Sequence, residues 1–362
     1  MSNLYSSPLS TAQIGSTPVG STHPLYITFE AGPTHTGLAS AMRLVDVAAT
    51  AGVNGIKFQL FDPDKLIADK SLEFSYQVLD EDGNLRPLTS NLYDLFVSRS
   101  LSSKDWSTLA KHILASGLDF ICTAGSPDEV DFLLDLGCTS IKVASSDLTY
   151  VQLLEHISTK NVNVQVDTGS GDITEISSAI QAIILNGNNN LIIHHCPTGY
   201  PATPDNVHLS MIRSLIHLFP TIPIAFSDHS PGIHMDIAAV SLGASMIEKT
   251  ITESRTTQSV EHAFSLEPSE APNFVSSLRD LQRAFGNGSR VLSSSQLSVR
   301  SDNRRGAYSR RSMTKGELLT VADIAFKRPQ KGMTPIEAAN ALPRVLNTDI
   351  LADTPIYPQV LG

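Results

Sequence analysis

The chain alternates short apolar runs with longer segments in which apolar residues recur at helical spacing. The apolar runs predict strands at residues 25–32, 55–60, 119–123, 140–144, 163–167, 191–195, 222–227 and 245–249. The segments between them predict helices at residues 38–51, 103–116, 127 onward, 151 onward, 174–186, 207–218, 233–243 and 269–286. Continuous apolar strands that alternate with amphipathic helices are typical of a parallel sheet buried on both faces.

Eight strand–helix units predict an α/β fold, a closed (β/α)8 TIM barrel over residues 25–286, with an open doubly wound sheet as the main alternative. In such a barrel, chemistry belongs at the carboxyl ends of the strands. The polar residues at these ends are Glu30, Lys57, Gln59, Thr123, Lys142, Ser145, Asp167, His195, Ser227, Asp228, His229, Glu248 and Lys249. Lys57 and Lys142 carry the most weight, because each lies in an otherwise apolar strand where an ammonium is costly to desolvate.

Four segments do not fit the barrel pattern. Residues 1–24 are rich in Ser and Thr without the basic start and apolar centre of a signal peptide, which predicts a mobile tail. Residues 62–89 are polar and Asp-rich, which predicts a lid or surface excursion. Residues 287–303 predict a linker, and residues 304–362 predict a small, mostly β domain.

Composition limits the possible partners and compartment. The 362 residues carry a formal net charge of -10, so nucleic acid is not expected as a partner and an anionic substrate needs local cations. The three cysteines show no C-x-x-C spacing, which predicts a reducing compartment, the cytoplasm, with no disulfide framework or zinc site. No apolar run approaches the ~20 residues that span a bilayer, so no membrane association is expected.

Several motifs occur in an order that resembles one enzyme family. They are Phe29-Glu30-Ala31-Gly32-Pro33-Thr34-His35-Thr36-Gly37, Lys57-Phe58-Gln59, Ile141-Lys142-Val143-Ala144-Ser145, His195-Cys196-Pro197-Thr198-Gly199-Tyr200-Pro201, Phe226-Ser227-Asp228-His229 and His262-Ala263-Phe264-Ser265-Leu266. From about residue 25 to 357 the chain resembles the sialic acid synthase family. The segment Phe326-Lys327-Arg328-Pro329 resembles that family's C-terminal antifreeze-like (SAF) domain.

The resemblance implies condensation of phosphoenolpyruvate with an N-acylated amino sugar to a nonulosonic acid, with phosphate released by C–O cleavage. It implies a phosphoenolpyruvate site made of Lys57, Lys142, Thr123, Ser145, Thr198 and Ser227. It places Glu30 near the sugar and the attacking water, and Gln59 and Tyr200 against the sugar. Arg328 would reach the N-acyl group from the partner subunit of a domain-swapped homodimer.

The same resemblance implies that His229 binds Mn²⁺ or Mg²⁺, which polarises the aldehyde. The chain departs from the family on this side. Thr250 stands where the second metal-binding His is usual, Glu261 replaces an Asp that contacts sugar or water, and Asp167 replaces a Ser. One hypothesis is an altered acceptor or a rebuilt metal shell that uses Glu261, Asp167 or water.

A second hypothesis is a metal-independent condensation in which Lys249 or His262 polarises the aldehyde. Two other kinds of protein remain as alternatives. One is a barrel aldolase that forms a Schiff base through Lys142. The other is a catalytically inactive protein that binds a phosphate or a sugar acid.

Overall fold

The computed structural model describes residues 10–286 and 288–362, and the chain divides after Gly286 into two compact units. The strands of the first unit are β1 (Thr11–Ile14), β2 (Thr17–Gly20), β3 (Tyr26–Glu30), β4 (Gly55–Leu60), β5 (Glu73–Leu79), β6 (Leu85–Asn91), β7 (Asp119–Ala124), β8 (Ser140–Val143), β9 (Asn163–Asp167), β10 (Leu191–His195), β11 (Ile224–Asp228) and β12 (Met246–Thr250). Its helices are α1 (Leu38–Ala51), α2 (Pro63–Leu66), α3 (Leu92–Arg99), α4 (Ser103–Ala115), α5 (Pro127–Asp135), α6 (Val151–Ser158), α7 (Ile173–Leu185), α8 (Pro204–Val207), α9 (Met211–Leu218), α10 (His234–Ser241) and α11 (Ala271–Phe285).

Strands β3, β4 and β7 to β12 form a closed parallel barrel. The closure is made by β12, which pairs with β3 from Met246 opposite Tyr26 to Thr250 opposite Glu30. An open sheet would leave both of these strands with a free edge. The prediction of a (β/α)8 barrel is therefore confirmed, and the doubly wound alternative is excluded.

Side chains alternate between the inside of the barrel and the surrounding helices, as they must along any strand. On the outer side, Phe58 of β4 and Phe120 of β7 both pack against Trp106 of α4, with ring centroids 6.4 Å apart in each pair. On the inner side, the polar residues near the strand ends face one another across the barrel. This alternation decides which predicted site residues can meet.

The N-terminal segment differs from the predicted mobile tail. β1 and β2 form an antiparallel hairpin, and Ala12, Ile14 and Val19 pack against apolar residues of the barrel strands. Gln13 exchanges two hydrogen bonds with Asn190, of 2.7 Å and 2.8 Å. Alternate residues of β1 are buried, so Thr11 and Gln13 face solvent while Ala12 and Ile14, with Val19 of β2, pack against the barrel strands. Residues 1–9 lie outside the described part of the chain.

The polar insert between β4 and α4 is ordered. It contains α2, the β5–β6 hairpin and α3, and the hairpin runs from Glu73 opposite Asn91 to Leu79 opposite Leu85. Tyr76 and Val78 of the hairpin are buried against Val260 of the last barrel loop. Gln77 also donates its backbone N–H to the Tyr200 carbonyl over 3.0 Å. The insert is thus fixed over the carboxyl ends of the barrel strands.

The second unit is small, and its described residues combine short strands with three short helices. It contains α12 (Ser294–Ser298), α13 (Arg300–Asn303), β13 (Gly306–Ser309), β14 (Leu318–Leu319), β15 (Ile324–Lys327), α14 (Pro335–Ala341) and β16 (Arg344–Val345). Two antiparallel pairs, β13 with β15 and β14 with β16, enclose a core of its own. Part of the segment predicted as a linker is therefore helical. Within the described residues, no helix is long and apolar enough to cross a bilayer.

Candidate active site

The carboxyl ends of the barrel strands form the floor of a cavity of about 430 Å³, and the insert forms part of its wall. The structure brings most of the predicted site residues to this cavity. Those that line it are Glu30, Lys57, Gln59, Thr123, Ser145, Asp167, Tyr200, Ser227, His229, Glu248 and Glu261. Lys142 lies buried just behind this lining, where its ammonium contacts three of these residues.

Two buried lysines converge on one carboxylate oxygen. Glu248 Oε1 lies 2.6 Å from Lys57 Nζ and 2.6 Å from Lys142 Nζ. Ser227 donates its hydroxyl hydrogen to the same oxygen over 2.7 Å. Because these groups are shielded from water, the attraction is much stronger than it is at a surface. Two ammonium groups therefore share one carboxylate oxygen at the floor of the cavity.

This charge cluster shifts the pKa values of its members. Burial alone would raise the pKa of Glu248, but Lys142 and Lys57 outweigh it and hold that pKa well below its ordinary value. For Lys57, burial would lower the pKa, yet Glu248 and Glu30 raise it well above the ordinary value. Both groups therefore remain charged at neutral pH. The ion pair between Lys57 and Glu248 therefore does not depend on a narrow range of pH.

Two more carboxylates sit at the rim of the cluster. Glu30 Oε2 lies 2.6 Å from Lys57 Nζ, and Asp167 Oδ2 lies 3.1 Å from Lys142 Nζ. Burial raises the pKa of both carboxyls, although the lysines oppose the rise. Asp167 Oδ1 is buried without a hydrogen-bond partner among the described residues. These two carboxyls can take up a proton when negative charge enters the cavity.

Backbone geometry fixes the position of Glu30. Its Oε1 accepts the Gly32 N–H over 2.6 Å, and Gln59 Nε2 donates to its Oε2 over 3.3 Å. A Cβ at position 32 would lie 2.6 Å from Gln59 Cγ and 2.8 Å from Glu30 Oε1. Glycine is required there because any side chain would push this carboxylate away from Lys57.

His229 lies on the wall of the cavity with an aromatic ring on each side. Its imidazole stacks on Tyr200 with centroids 5.0 Å apart and lies 6.0 Å from the ring of Phe264. Burial lowers the pKa of His229 to about 4, so the ring is neutral. Its Nδ1 is buried and has no hydrogen-bond partner among the described residues. A neutral imidazole with a free nitrogen can ligate a metal or accept a hydrogen bond from a substrate.

The second half of a metal site does not accompany His229. Thr250 donates its hydroxyl to Glu261 Oε2 over 3.2 Å, so this pair is already satisfied. Across residues 10–286 and 288–362, no group of three or more His, Cys, Asp or Glu side chains is arranged to hold a metal ion. A hydroxyl is also a poor substitute for imidazole as a ligand to a divalent ion. The donor set present thus does not fit the predicted Mn²⁺ or Mg²⁺ ion.

Two models of known families match this chain. The model of the NeuB family matches residues 44–290, and that of the SAF domain matches residues 304–361. The chain belongs to the NeuB family. The resemblance to sialic acid synthases and to their SAF domain, predicted from the motifs, is therefore confirmed.

Relatives of this NeuB-family chain include named synthases. An N,N'-diacetyllegionaminic acid synthase from Legionella pneumophila is 31% identical over 94% of this chain and 95% of its own. The N-acetylneuraminate-9-phosphate synthase of Homo sapiens is 28% identical over 95% of this chain and 94% of its own. The solved structure of an N-acetylneuraminic acid synthetase from Leptospira borgpetersenii superposes with a TM-score of 0.70, at 26% identity, over 80% of this chain and 95% of that one.

Some predicted residues lie away from the cavity. His195 faces outward from β10, where its Nε2 donates to the Val207 carbonyl over 2.6 Å. Thr198 is exposed and does not line the cavity. Arg328 is exposed on the second unit. The predicted roles of these residues receive no support from the geometry of the first unit.

Lys249 and His262 do not reach the cavity either. Lys249 faces outward from β12, where its ammonium pairs with Asp228 and lies 3.4 Å from Asp236. His262 is buried and shares a 2.6 Å hydrogen bond with Thr252. Neither residue lines the cavity, and each is already bound to other groups. The hypothesis that either one polarises an aldehyde is therefore wrong.

Arg99 is a cavity residue that the sequence-based reasoning missed. It is the last residue of α3, and the insert carries it to the wall of the cavity. Its Nη2 is buried without a hydrogen-bond partner among the described residues. Burial lowers its pKa, although Glu261 opposes that effect. A single basic residue at a helix end usually points to solvent, so the sequence alone offered no signal for it.

Proposed function

We propose that this protein is a nonulosonic acid synthase that condenses phosphoenolpyruvate with an N-acylated amino sugar and releases phosphate. The observation that carries the proposal is the convergence of Lys57 and Lys142 on Glu248 Oε1 beneath a cavity. A trianionic substrate needs fixed cations with hydroxyl donors around them. Ser227, Thr123 and Ser145 supply hydroxyls on the same lining.

The lysines hold the phosphate and carboxylate of phosphoenolpyruvate in this proposal, and the enol carbon attacks the sugar aldehyde. Water then adds to carbon 2, and the C–O bond to phosphate breaks, so that phosphoenolpyruvate, aldehyde and water give a 2-oxo acid and phosphate. Glu30 is suited to orient that water, because its carboxylate is fixed next to Lys57. Oxygen-18 in the bridging position of phosphoenolpyruvate should appear in the released phosphate.

A different set of cavity residues is proposed to contact the acceptor sugar. Gln59 and Tyr200 offer polar atoms to a sugar, and Glu261 lies on the same wall. Burial, together with the charge of Glu30, raises the pKa of Glu261 to about 7, although Arg99 opposes that rise. A carboxyl that still holds a proton near neutral pH can donate it to the oxygen of the aldehyde as the carbon–carbon bond forms. The divalent metal predicted at His229 remains a prediction from resemblance, and no step above depends on it.

Relatives differ in the product that their names state. These products are N,N'-diacetyllegionaminic acid, pseudaminic acid and N-acetylneuraminate 9-phosphate. The acceptor of this chain is therefore an amino sugar whose acylation and phosphorylation require a direct test. Phosphate release from phosphoenolpyruvate should be screened against N-acetylmannosamine, its 6-phosphate and a 2,4-diacetamido-2,4,6-trideoxyhexose, with and without Mn²⁺. No release with any acceptor would leave the protein as a binder of phosphates or sugar acids.

A Schiff-base aldolase is less compatible with the environment of Lys142. Its ammonium contacts Glu248 at 2.6 Å, Asp167 at 3.1 Å and Ser227 at 3.4 Å. Imine formation requires the amine to reach a carbonyl carbon, and Lys142 is buried behind the cavity lining with its Nζ bound to these three groups. Treatment with borohydride and pyruvate should therefore leave the mass of the protein unchanged. A covalent adduct at Lys142 would favour the aldolase.

The domain-swapped homodimer, the role of Arg328 and a cytoplasmic location belong to the same proposal. Complementation can test the swap. Lys142→Met and Arg328→Gln are each expected to be inactive alone. If a second subunit supplies Arg328, mixed dimers hold one intact site each, and an equal mixture recovers about a quarter of wild-type activity after subunit exchange. No recovery after demonstrated exchange would contradict the swap.

A further inference from the structure

A chain of hydrogen bonds runs through the interior of the barrel below the cavity. His194 Nε2 shares a 2.8 Å hydrogen bond with Gln165 Oε1, and Gln165 Nε2 donates to Ser140 Oγ over 2.9 Å. Ser140 donates its hydroxyl hydrogen to Asn163 Oδ1 over 2.6 Å, and Asn163 Nδ2 donates to the Asn190 carbonyl over 3.1 Å. Because the first four of these residues are at most 1% exposed, bulk water does not compete for the contacts.

The direction of the chain fixes which nitrogen of His194 carries a hydrogen. The Asn190 carbonyl can only accept, so Asn163 turns its amide nitrogen toward it and its amide oxygen toward Ser140. Ser140 gives its one hydrogen to that oxygen, so it accepts from the amide nitrogen of Gln165. Gln165 Oε1 then faces His194, and Nε2 must be the protonated nitrogen of a neutral ring. Nδ1 is left as an acceptor.

His194 Nδ1 is one of three polar atoms buried in the barrel interior without a hydrogen-bond partner among the described residues. The other two are Glu248 Oε2 and Thr28 Oγ1. Thr28 lies opposite Glu248 where β3 pairs with β12, and the charges of Lys142 and Glu248 both act on His194. Burial, together with Lys142, lowers the pKa of His194 well below its ordinary value, so the ring is neutral. Two acceptors and one hydroxyl thus face this part of the interior.

A water molecule fits this set of atoms better than a cation does. Water has two hydrogens, which can go to His194 Nδ1 and Glu248 Oε2, and its oxygen can accept from the Thr28 hydroxyl. An ammonium or metal ion would place a third positive charge beside Lys57 and Lys142, which already share Glu248 Oε1. Each of the three atoms would cost about 1–3 kcal/mol if it stayed unpaired. A bridging water satisfies all of them without adding charge.

We propose that one internal water binds Thr28, His194 and Glu248, and that His194 acts through it as a positioning residue for the two lysines. Among the described residues, every hydrogen bond to the Glu248 carboxylate is made at Oε1. With Oε2 held from below, Oε1 keeps Lys57 and Lys142 at one point on the cavity floor. The water site stands without the proposed function, and only its effect on phosphoenolpyruvate binding rests on that function.

Two substitutions of His194 separate the roles of its two nitrogens. His194→Asn places an amide oxygen near the position of Nδ1 and loses the contact with Gln165. His194→Gln reaches Gln165 and offers no acceptor at the position of Nδ1. We expect the dissociation constant for phosphoenolpyruvate, measured by calorimetry, to rise about tenfold in His194→Gln and by less than about threefold in His194→Asn. The matched control His112→Gln removes a histidine that pairs with Asp46 on the outer helices, and it should leave this constant unchanged.

NMR and crystallography test the site without phosphoenolpyruvate. The ring-nitrogen signals that disappear in both variants identify His194, and we expect a protonated Nε2 and an unprotonated Nδ1 between about pH 6 and 9. A crystal structure of the wild-type protein at atomic resolution should show one water within about 3 Å of His194 Nδ1, Glu248 Oε2 and Thr28 Oγ1. A protonated Nδ1 overturns the inference, as do three atoms that share no water.

The outcomes separate this inference from the proposed function. The expected tautomer and water in a protein that does not bind phosphoenolpyruvate keep the water site and remove the synthase. Phosphoenolpyruvate binding that is weakened equally in His194→Gln and His194→Asn keeps the synthase and removes the positioning role. Thermal unfolding shows whether both variants fold. If neither does, the crystal structure of the wild-type protein decides the inference.

Discussion

Asp167 Oδ2 lies 3.1 Å from Lys142 Nζ at the floor of the cavity. Both side chains are largely shielded from solvent, and Asp167 stands where a serine was expected from the resemblance. An anion beside a lysine that we propose to bind phosphoenolpyruvate competes with the negative charge of that substrate for the lysine. This contact therefore links stability, protonation and substrate affinity in one pair of residues.

Removal of Lys142 should separate its structural and catalytic contributions. Lys142→Met leaves Asp167 without its cation and Glu248 with Lys57 alone, so the free energy of unfolding should fall by about 3–5 kcal/mol and phosphate release should stop. Urea denaturation measures the first effect. The double variant Lys142→Met/Asp167→Asn should regain part of the stability but none of the activity. If it regains no stability, the unpaired Asp167 charge is not the cause of the loss.

Binding of phosphoenolpyruvate should take up protons. The pKa values of Glu30 and Asp167 are raised by burial, so both carboxyls lose their protons as the pH rises and then repel a trianion. Affinity should therefore fall as the pH rises through the raised pKa values of these two carboxyls. Calorimetry in two buffers of different ionisation enthalpy measures the uptake. Asp167→Ser should bind more tightly and show a smaller pH dependence, and an unchanged slope would contradict this origin.

Glu261 should cost stability at alkaline pH. Its pKa is about 7 in the fold against an ordinary value of 4.5, so the unfolded chain ionises first as the pH rises. The free energy of unfolding should therefore fall as the pH rises from about 4.5 to 7. Glu261→Gln should then stabilise the protein by up to about 3 kcal/mol at pH 8 and by little at pH 4.5.

Glu253 provides the opposite sign as a control for that measurement. Arg43 lowers the pKa of Glu253, so its contribution is present at neutral pH and is lost as the pH falls. Glu253→Gln should not stabilise the protein at pH 8. Denaturant unfolding of both variants at pH 4.5 and pH 8 measures these changes in stability. If both variants are stabilised at pH 8, the change in net charge is the cause.

Thr250→His should create a metal-binding pair with His229. The wild-type position offers a hydroxyl that is bound to Glu261, whereas imidazole is a preferred ligand of divalent transition ions. We expect Mn²⁺ affinity to rise at least about tenfold in calorimetry. The double variant His229→Gln/Thr250→His should lose the gain. An equal affinity in both variants would show that the two side chains do not share an ion.

The N-terminal hairpin should contribute to the stability of the barrel. Ile14 is fully buried against barrel strands, so Ile14→Ala should lower the free energy of unfolding by about 2–5 kcal/mol. Ile184, which is 40% exposed on α7, is the matched control, and its replacement by Ala should cost less than about 1 kcal/mol. Equal losses of unfolding free energy in the two variants, measured by urea denaturation, would show that burial of Ile14 adds no stability.

The barrel could be predicted from the sequence because its strands are buried on both faces and are therefore continuously apolar. Runs such as Leu191–His195 and Asn163–Asp167 were predicted with their observed bounds. The same rule located the site, since parallel strands bring their carboxyl ends together. The strand ends could not show which side chains face inward, and alternation sends His195 and Lys249 to the outside.

The secondary structure of two segments was not predicted, because only one face of each is buried. In the hairpin of β1 and β2, buried Ala12 and Ile14 alternate with exposed Thr11 and Gln13, and a run of four residues is too short to display the pattern. The insert is polar on its outer face for the same reason. Arg99 could be found only in three dimensions, because its burial depends on barrel residues distant in sequence.

The insert is a single stretch between Leu60 and Ser103, so exchange of about forty residues would change the part of the cavity wall that it forms while every barrel strand stayed the same. This arrangement separates the insert from the residues that we propose to bind phosphoenolpyruvate. The lysines and hydroxyls beneath can remain fixed while one continuous genetic segment varies. A transplanted insert from a relative with another acceptor is accordingly a direct route to a synthase with altered selectivity.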